Sequence, residues 1–296
     1  MTEVTSSKVL VTGSAGMLGS QVLLSMPDEL SVVGTDMRDA PGVEASGVDL
    51  TEAGAVDELF GDLGPFRGVI HTAAYTEVDR AEEEEDLALR VNATGTAVLA
   101  ARTALAGIPL VAVSTDFVFD GERDTPYPED ALTNPLGAYG RTKLAGERAA
   151  FDAHPEGAIV VRTQWLYGPR GKHFPATILR LAQERDTLRV VEDQVGSPTS
   201  TLELAPALWD VLARGAPGIY HAACEGSCSW YEFAVAVLEN ADLGEVAVEP
   251  CTTRDFPRPA RRPRYSVLDC SRLTALRGAP LAHWKDALKT YLGNED

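Results

Sequence analysis

The sequence predicts an α/β protein built on a doubly wound parallel sheet. Short β-branched runs recur along its first half, helical patterns separate them, and a glycine-rich turn follows the first run. "KVLVTG" opens the series, continued by "LSVVGTD", "GVIHTA", "IPLVAVSTD" and "GAIVVRT". Each is apolar at consecutive positions, as in strands buried on both faces. Between them the clearest helical stretches are "MLGSQVLLSM", "TEAGAVDELF", the long "EEEDLALRVNATGTAVLAARTALAG" and the segment opening at "AYGRTKLAGE". Such alternation closes with right-handed crossovers and puts helices on both faces of the sheet. The acidic run from Glu82 to Asp86 reads as the start of the long helix, where carboxylates favour the dipole and keep that end solvated.

After about residue 165 the pattern loosens into a Gly/Pro loop, "LYGPRGKHF", a helix near "ATILRLAQER", a short strand "LRVV", a loop through "DQVGSPTS", and helices around "ELAPALWDVLA" and "SWYEFAVAVLEN". No linker-like stretch divides the chain, so a smaller C-terminal lobe packed directly on the first is expected. The expected division is a dinucleotide-binding domain over residues 1–165 and a mainly substrate-binding lobe over 166–296, with about 200–225 returning to the first domain.

Composition excludes several classes. Hydrophobic residues at 45% and charged residues at 24% are ordinary globular usage. A net charge of -18 repels phosphate backbones and anionic membranes, so neither nucleic acid nor a membrane is an expected partner. An anionic ligand would need a local basic patch; "PRPARRPRY", with Arg258, Arg261, Arg262 and Arg264, is one candidate and a solvated basic loop the other reading. The N-terminus has no long apolar region and no run reaches membrane length, which suggests a cytoplasmic protein. The 4 cysteines, Cys224 and Cys228 in "CEGSC" among them, read as reduced core thiols, and without further ligands at short spacing no metal site is expected.

"VTGSAGMLG" places Gly13, Gly16 and Gly19 between the first strand and the first helix. Glycine allows the tight turn and lets backbone N–H groups reach a pyrophosphate at a helix N-terminus. Asp36 closes the second strand, where a carboxylate accepts from ribose hydroxyls, and Arg38 two residues later could meet a 2′-phosphate. This is a Rossmann-type arrangement, with NADPH or NADH as the cofactor.

The G-x-x-G-x-x-G spacing resembles that of the extended short-chain dehydrogenase/reductases. In that superfamily a Tyr-x-x-x-Lys pair supplies the catalytic acid or base, with a Ser or Thr at the end of the fourth strand; here these are Tyr139, Lys143 and Thr115. Four residues make one helical turn, so the lysine lies beside the tyrosine. A phenol titrates near ~10, and an ammonium and an oxidised nicotinamide nearby are expected to favour the phenolate.

"HTAAYTEVDRAE", "STDFVFDG", "PLGAYGRTKLAGE", "VVRTQWLYG", "EDQVGSPT", "GIYHAACEGSCSWYEFA" and "RPARRPRYSVLD" follow in order the motifs of the dTDP-4-dehydrorhamnose reductases, from Lys8 to about Asp269. The resemblance implies reduction of the C4 ketone of dTDP-4-dehydro-L-rhamnose, with Tyr139 as proton donor and Lys143 holding cofactor and tyrosine. It implies sugar contacts from Thr115, Asp116 and Trp165, and cofactor contacts from Gly16, Met17, Leu18, Asp36, Asp49, Leu50, Ala74, Tyr75 and Thr76, alongside Gly13 and Arg38 above. The segment from Arg258 to Arg264 would face the nucleotide diphosphate, with Arg262 as the representative contact. Oligomeric state, a homodimer among the options, is not legible in one chain.

The chain departs from the family pattern at Phe117, where tyrosine is usual, at His173, where asparagine is usual, and at Gln164, where serine is usual. None removes the acid or the lysine; all touch substrate detail. Two rival readings stand. One is a nucleotide-sugar epimerase or dehydratase; in dehydratases a Glu generally follows the Asp, and Phe117 occupies that place. The other is a non-catalytic subunit resembling the regulatory partner of methionine adenosyltransferase.

Overall fold

The computed structural model describes residues 7–293, so the extreme ends of both expected lobes, residues 1–6 and 294–296, lie outside the description. The first half runs β1 (Lys8–Thr12), α1 (Met17–Leu24), β2 (Ser31–Asp36), β3 (Ala45–Ser46), α2 (Ala53–Leu63), β4 (Gly68–His71), α3 (Glu85–Leu89), α4 (Gly95–Ala106), β5 (Leu110–Thr115), α5 (Ala138–Ala153) and β6 (Ala158–Thr163). The chain continues with β7 (Leu166–Tyr167), α6 (Phe174–Ala182), β8 (Thr187–Val191), β9 (Val195–Gly196), β10 (Thr199–Ser200), α7 (Thr201–Arg214) and β11 (Gly218–His221). It ends with β12 (Cys228–Ser229), α8 (Trp230–Asn240), β13 (Ala247–Cys251), α9 (Ser271–Arg277) and α10 (Trp284–Gly293).

All the β-branched runs join one 7-stranded parallel sheet in the order β11-β6-β5-β4-β1-β2-β3. Alternate side chains enter opposite layers, as a pleated strand requires. Val9, Val11, Ile70, Val111 and Val161 pack with Leu18, Val22, Leu204 and Leu208 from α1 and α7. Leu10, Val69, Leu110 and Ala112 pack with Val56, Leu59, Leu99 and Ala150 from α2, α4 and α5. Both faces are therefore apolar, and the consecutive hydrophobic runs are explained. The first layer extends without a break into the C-terminal half, through Phe233, Trp284 and Tyr291. Cys224 and Cys228 lie in this core as free thiols, and burial pushes the Cys224 thiol up to about 12.

The long helix expected over residues 83–107 is instead divided. A 3-10 turn (Arg80–Glu82) and α3 lead into a π turn (Arg90–Thr94), and only then does α4 begin. Asn, Thr and Gly in "RVNATGT" are weak helix formers, and one extra residue per turn is tolerated there. Nor does the acidic run simply stand in solvent. Glu82 accepts the N–H of Ala138 at 2.8 Å, Glu85 takes both ends of the Arg141 guanidinium at 2.9 and 2.7 Å, and Glu84 accepts the Tyr75 hydroxyl. The run therefore grips the first turn of α5. Glycines set how closely α5 seats on its other side: a Cβ on Gly140 would lie 2.2 Å from the Phe117 carbonyl oxygen, and one on Gly146 2.2 Å from that of Asn92.

Candidate active site

β1 and β4 are neighbours, yet the connections after them run to opposite edges of the sheet. Such a switch point opens a crevice at the carboxyl ends of the strands. A cavity of about 690 Å³ lies there, lined by the ends of β1, β2, β4, β5 and β6 and by the loops that follow.

Its first wall is the glycine turn. Gly13 has φ 71, and a Cβ there would lie 2.6 Å from the Ala73 nitrogen; one on Gly19 would lie 2.1 Å from the Gly13 oxygen. α1 starts from Gly16 with no side-chain cap, so the N–H groups of Met17 and Leu18 open toward the cavity at the positive end of the helix dipole. Asp36 also lines it. Its oxygens accept the N–H groups of Ala15 at 3.1 Å and Arg38 at 3.0 Å, while the exposed Arg38 guanidinium stands 3.5 Å away. Asp49 accepts both the N–H and the hydroxyl of Thr51, at 2.9 and 2.7 Å, and those bonds hold its carboxyl below the ordinary range. Leu50, Ala74 and Thr76 line the same wall. An uncapped helix start, a side-chain-free turn and a carboxylate at the end of β2 fit a dinucleotide.

Tyr75 does not line the cavity. Its hydroxyl is engaged by Glu84, and Asn92 holds both its backbone N–H, at 2.9 Å, and its carbonyl, at 3.2 Å. Arg262 is likewise turned away from the cavity lining. Its guanidinium forms a two-pronged pair with Asp79 at 3.0 and 3.1 Å, and Asp79 also accepts the N–H of Ala260 at 3.2 Å. It thus ties the basic segment to the loop after β4; Arg258 reaches the same carboxylate at 3.9 Å, so Arg261 and Arg264 are the arginines of the segment placed to meet an anion.

The opposite wall carries titratable and hydroxyl side chains. Tyr139 and Lys143 occupy the first turns of α5, and Thr115 and Asp116 the end of β5. Lys143 is buried and donates to the Val113 carbonyl at 2.8 Å. Burial lowers its pKa to about 8, against the pull of Glu147. The expectation of an acidified phenol does not hold for the protein alone: enclosure pushes the Tyr139 pKa up to about 12 and the Asp116 charge works the same way, while the Thr115 hydroxyl opposes both. The physical reason is that the ammonium is committed to a backbone carbonyl, so desolvation dominates at the phenol.

Asp116 is 1% exposed; one of its oxygens accepts the Thr115 hydroxyl at 3.1 Å, the nearby Ser266 hydroxyl also favours its charged form, and Oδ2 meets no partner at hydrogen-bond geometry. Burial raises its pKa from 3.8 to about 6. A raised carboxyl pKa means the folded state holds the proton more tightly, so this stabilisation is present below about pH 4 and lost as pH rises through about 6. With about 1.4 kcal/mol per unit, wild type should lose up to about 3 kcal/mol relative to Asp116→Asn between about pH 4 and pH 8. Paired denaturant melts at both ends of that range measure the difference; a constant gap would rule out a titrating Asp116.

Trp165 completes the site at φ 49, a left-handed conformation that is rare and strained for a tryptophan. Its ring stacks on Trp230, with centroids 3.5 Å apart and planes at 9°. A Ser229–Glu232 capping box fixes the start of α8 and with it Trp230. Phe117 meets Tyr139 edge-on at 5.5 Å, and His173 caps α6 through the Ala176 N–H. Sequence reading missed Asn92, Thr163 and Lys172. Thr163 and Lys172 line the cavity, and Asn92 also donates to the Thr142 hydroxyl at 3.0 Å, so it ties the loop after β4 to α5. An asparagine inside a helical pattern was the one available signal.

Among the described residues no group of three or more His, Cys, Asp or Glu side chains could hold a metal ion, and no helix is long and apolar enough to cross a membrane.

Known proteins share this architecture throughout. A dTDP-4-dehydrorhamnose reductase from Mycobacterium tuberculosis is 42% identical, over 97% of this chain and 93% of its own. The crystal structure of a dTDP-4-dehydrorhamnose reductase from Clostridium acetobutylicum superposes with a TM-score of 0.89 at 41% identity, covering 97% of this chain and 98% of the other. The enzyme of that name from Bacillus anthracis, solved in complex with NADP, gives a TM-score of 0.90 at 35% identity, covering 97% and 99%. The family model described as the RmlD substrate binding domain matches residues 7–296. A match that starts just before β1 and runs to residue 296 takes in every element of the described residues, and the chain therefore belongs to the RmlD substrate binding domain family.

Proposed function

We propose that the protein reduces the C4 ketone of dTDP-4-dehydro-L-rhamnose with NADPH or NADH, giving dTDP-L-rhamnose. The observation that carries this reading is a single cavity with a dinucleotide cradle on one wall and Tyr139, Lys143, Thr115 and Asp116 on the other. Its relatives are named for this reaction, and one was solved with NADP.

The reduced nicotinamide supplies the hydride when it is bound. The chain's own residues do the rest. The glycine turn and the start of α1 receive the pyrophosphate, and Asp36 receives the ribose, with Arg38 beside it to moderate its charge; this lets the rim accept either dinucleotide. Met17, Leu18, Asp49, Leu50, Ala74 and Thr76 shape the same wall. Tyr139 holds a proton well beyond neutral pH and gives it to the C4 oxygen as negative charge develops there. Thr115 orients the phenol, and Lys143 presents a positive charge one helical turn away. Trp165, held by Trp230, covers the sugar. Residues 1–165 would thus serve the cofactor and 166–296 mainly the substrate, with about 200–225 rejoining the sheet.

The reading carries no nucleic-acid partner, since the net charge is -18. It places the chain in the cytoplasm, where a reduced nicotinamide pool is available, and light scattering would distinguish a homodimer from a monomer directly. The decisive experiment follows the absorbance of NADPH and of NADH while the ketosugar is generated in situ. Stoichiometric oxidation of at least one nicotinamide, with dTDP-L-rhamnose as product, is expected. No oxidation of either would reject the proposal.

A further inference from the structure

Gln164, Thr163 and Asp116 share an unusual property: each is buried, at 2%, 4% and 1% exposure, each lines the cavity, and each has a polar side-chain atom with no hydrogen-bond partner. The atoms are Gln164 Nε2, Thr163 Oγ1 and Asp116 Oδ2. Buried polar groups normally find partners, and an unmade bond costs roughly tenfold to a hundredfold in an equilibrium constant. Unpaired atoms gathered at one cavity therefore point to a ligand that supplies the missing partners.

The Gln164 amide cannot be turned around to remove the anomaly. Its Oε1 accepts the backbone N–H of Ser197 at 3.0 Å, and a backbone N–H only donates, so the atom facing it must be oxygen. The Ser266 hydroxyl meets the same oxygen at 3.2 Å. Nε2, a pure donor, is left over. The next residue, Trp165, takes the strained φ of 49, and its ring is packed against Gly196, where a Cβ would lie 2.5 Å from it. The end of β6 is thus held rigidly with its donor unmatched.

A sugar hydroxyl matches this set, because it donates and accepts at once. It can give its hydrogen to Asp116 Oδ2 and accept one from Gln164 Nε2 or Thr163 Oγ1. A ketone oxygen only accepts, and Tyr139 serves it. We propose that Thr163 and Gln164, with Asp116, form a polar subsite for a ring hydroxyl at C2 or C3 of the keto-sugar, and that Gln164 is a specificity-determining residue that selects sugars carrying that oxygen. This rests on the ketosugar-reductase reading and deepens it.

The test compares kcat/KM for the hydroxylated ketosugar with that for its 2-deoxy and 3-deoxy analogues, in wild type, Gln164→Met and Thr163→Val. Wild type should prefer the hydroxylated substrate over one of the two analogues by roughly tenfold to a hundredfold, and which analogue suffers identifies the hydroxyl. Gln164→Met should bring the two rates together by about tenfold, and Thr163→Val should move the ratio the same way by less. Gln164→Met also loses the bonds to Ser197 and Ser266, whereas the Thr163 hydroxyl has no partner to lose, so Thr163→Val tests the subsite even if the first variant folds poorly. An unchanged ratio in both variants, or an equal loss on all three substrates, would overturn the subsite while leaving the reductase reading intact. A wild-type protein that turns over none of them would overturn that reading, and the subsite with it.

Discussion

Tyr139→Phe should turn over the ketosugar about 10² to 10⁴ times more slowly than wild type while binding NADPH with little change. The substitution removes one hydroxyl and keeps the ring, so the edge-on contact with Phe117 at 5.5 Å survives and the cavity wall keeps its shape. What disappears is the only phenol among the described residues that line the cavity, and with it the proton proposed for the C4 oxygen. The pH profile separates this role from a steric one. In the protein alone, enclosure pushes the Tyr139 pKa up to about 12, which puts its titration outside the ordinary range. Lys143, lowered to about 8 by burial, titrates within it: it is charged below that value and neutral above it. Wild-type kcat/KM should therefore be level below about pH 8 and decline above it, and the residual activity of Tyr139→Phe should decline at the same place. Single-turnover rates across that range, beside NADPH titrations by fluorescence, are the measurement. A variant within a factor of a few of wild type would remove Tyr139 from the mechanism.

A phenol pushed up to about 12 departs from the sequence expectation of an acidified tyrosine. Spacing alone put Tyr139 and Lys143 on one helical turn, and both do line the cavity, because four residues along a helix is a local fact. The alternating strands, the glycine turn and Asp36 at the end of β2 were legible for the same reason. The acidity of the phenol was not. It depends on what surrounds the pair from distant elements: Asp116 on β5's end, and the Val113 carbonyl that claims the lysine across 30 residues. Distance in sequence hid the other misreadings too. Arg262 looked available for a diphosphate until Asp79, 183 residues away, took its guanidinium. Gln164 showed only as an unusual residue before the tryptophan, since its constraint comes from Ser197 and Ser266. The helix across residues 83–107 failed differently, for apolar period cannot register the single inserted residue that makes a π turn.

Glu147→Ala should be the most damaging substitution for stability, at about 3 to 5 kcal/mol. Glu147 lies one turn beyond Lys143 on α5, 4% exposed at its side chain, and faces Arg162 on β6, 3% exposed. Arg162 donates to it through Nε at 2.9 Å and Nη2 at 2.7 Å, and the Ser114 hydroxyl adds a third bond at 2.5 Å. The attraction is not what makes the loss large. Two ions buried together nearly offset their own desolvation, but one left alone bears the full penalty, and Arg162 cannot shed its proton as a buried lysine would. A control follows from the same physics: Glu147→Leu combined with Arg162→Met removes both charges and should recover most of the stability that Glu147→Ala loses. The exposed pair Arg180–Glu184, 60% and 51% exposed, marks the other extreme, and breaking it should cost under about 1 kcal/mol. Urea melts of these variants give the order directly. If Glu147→Ala were no worse than the loss of Glu184, the buried pair would not be what holds α5 to β6. If the double substitution were as damaging as the single one, the cost would come from lost attraction rather than from a stranded charge. The same carboxylate is what opposes the burial of Lys143, so its loss should also bring the alkaline decline in rate to lower pH, joining the stability of this helix to the working range of the acid on its first turn.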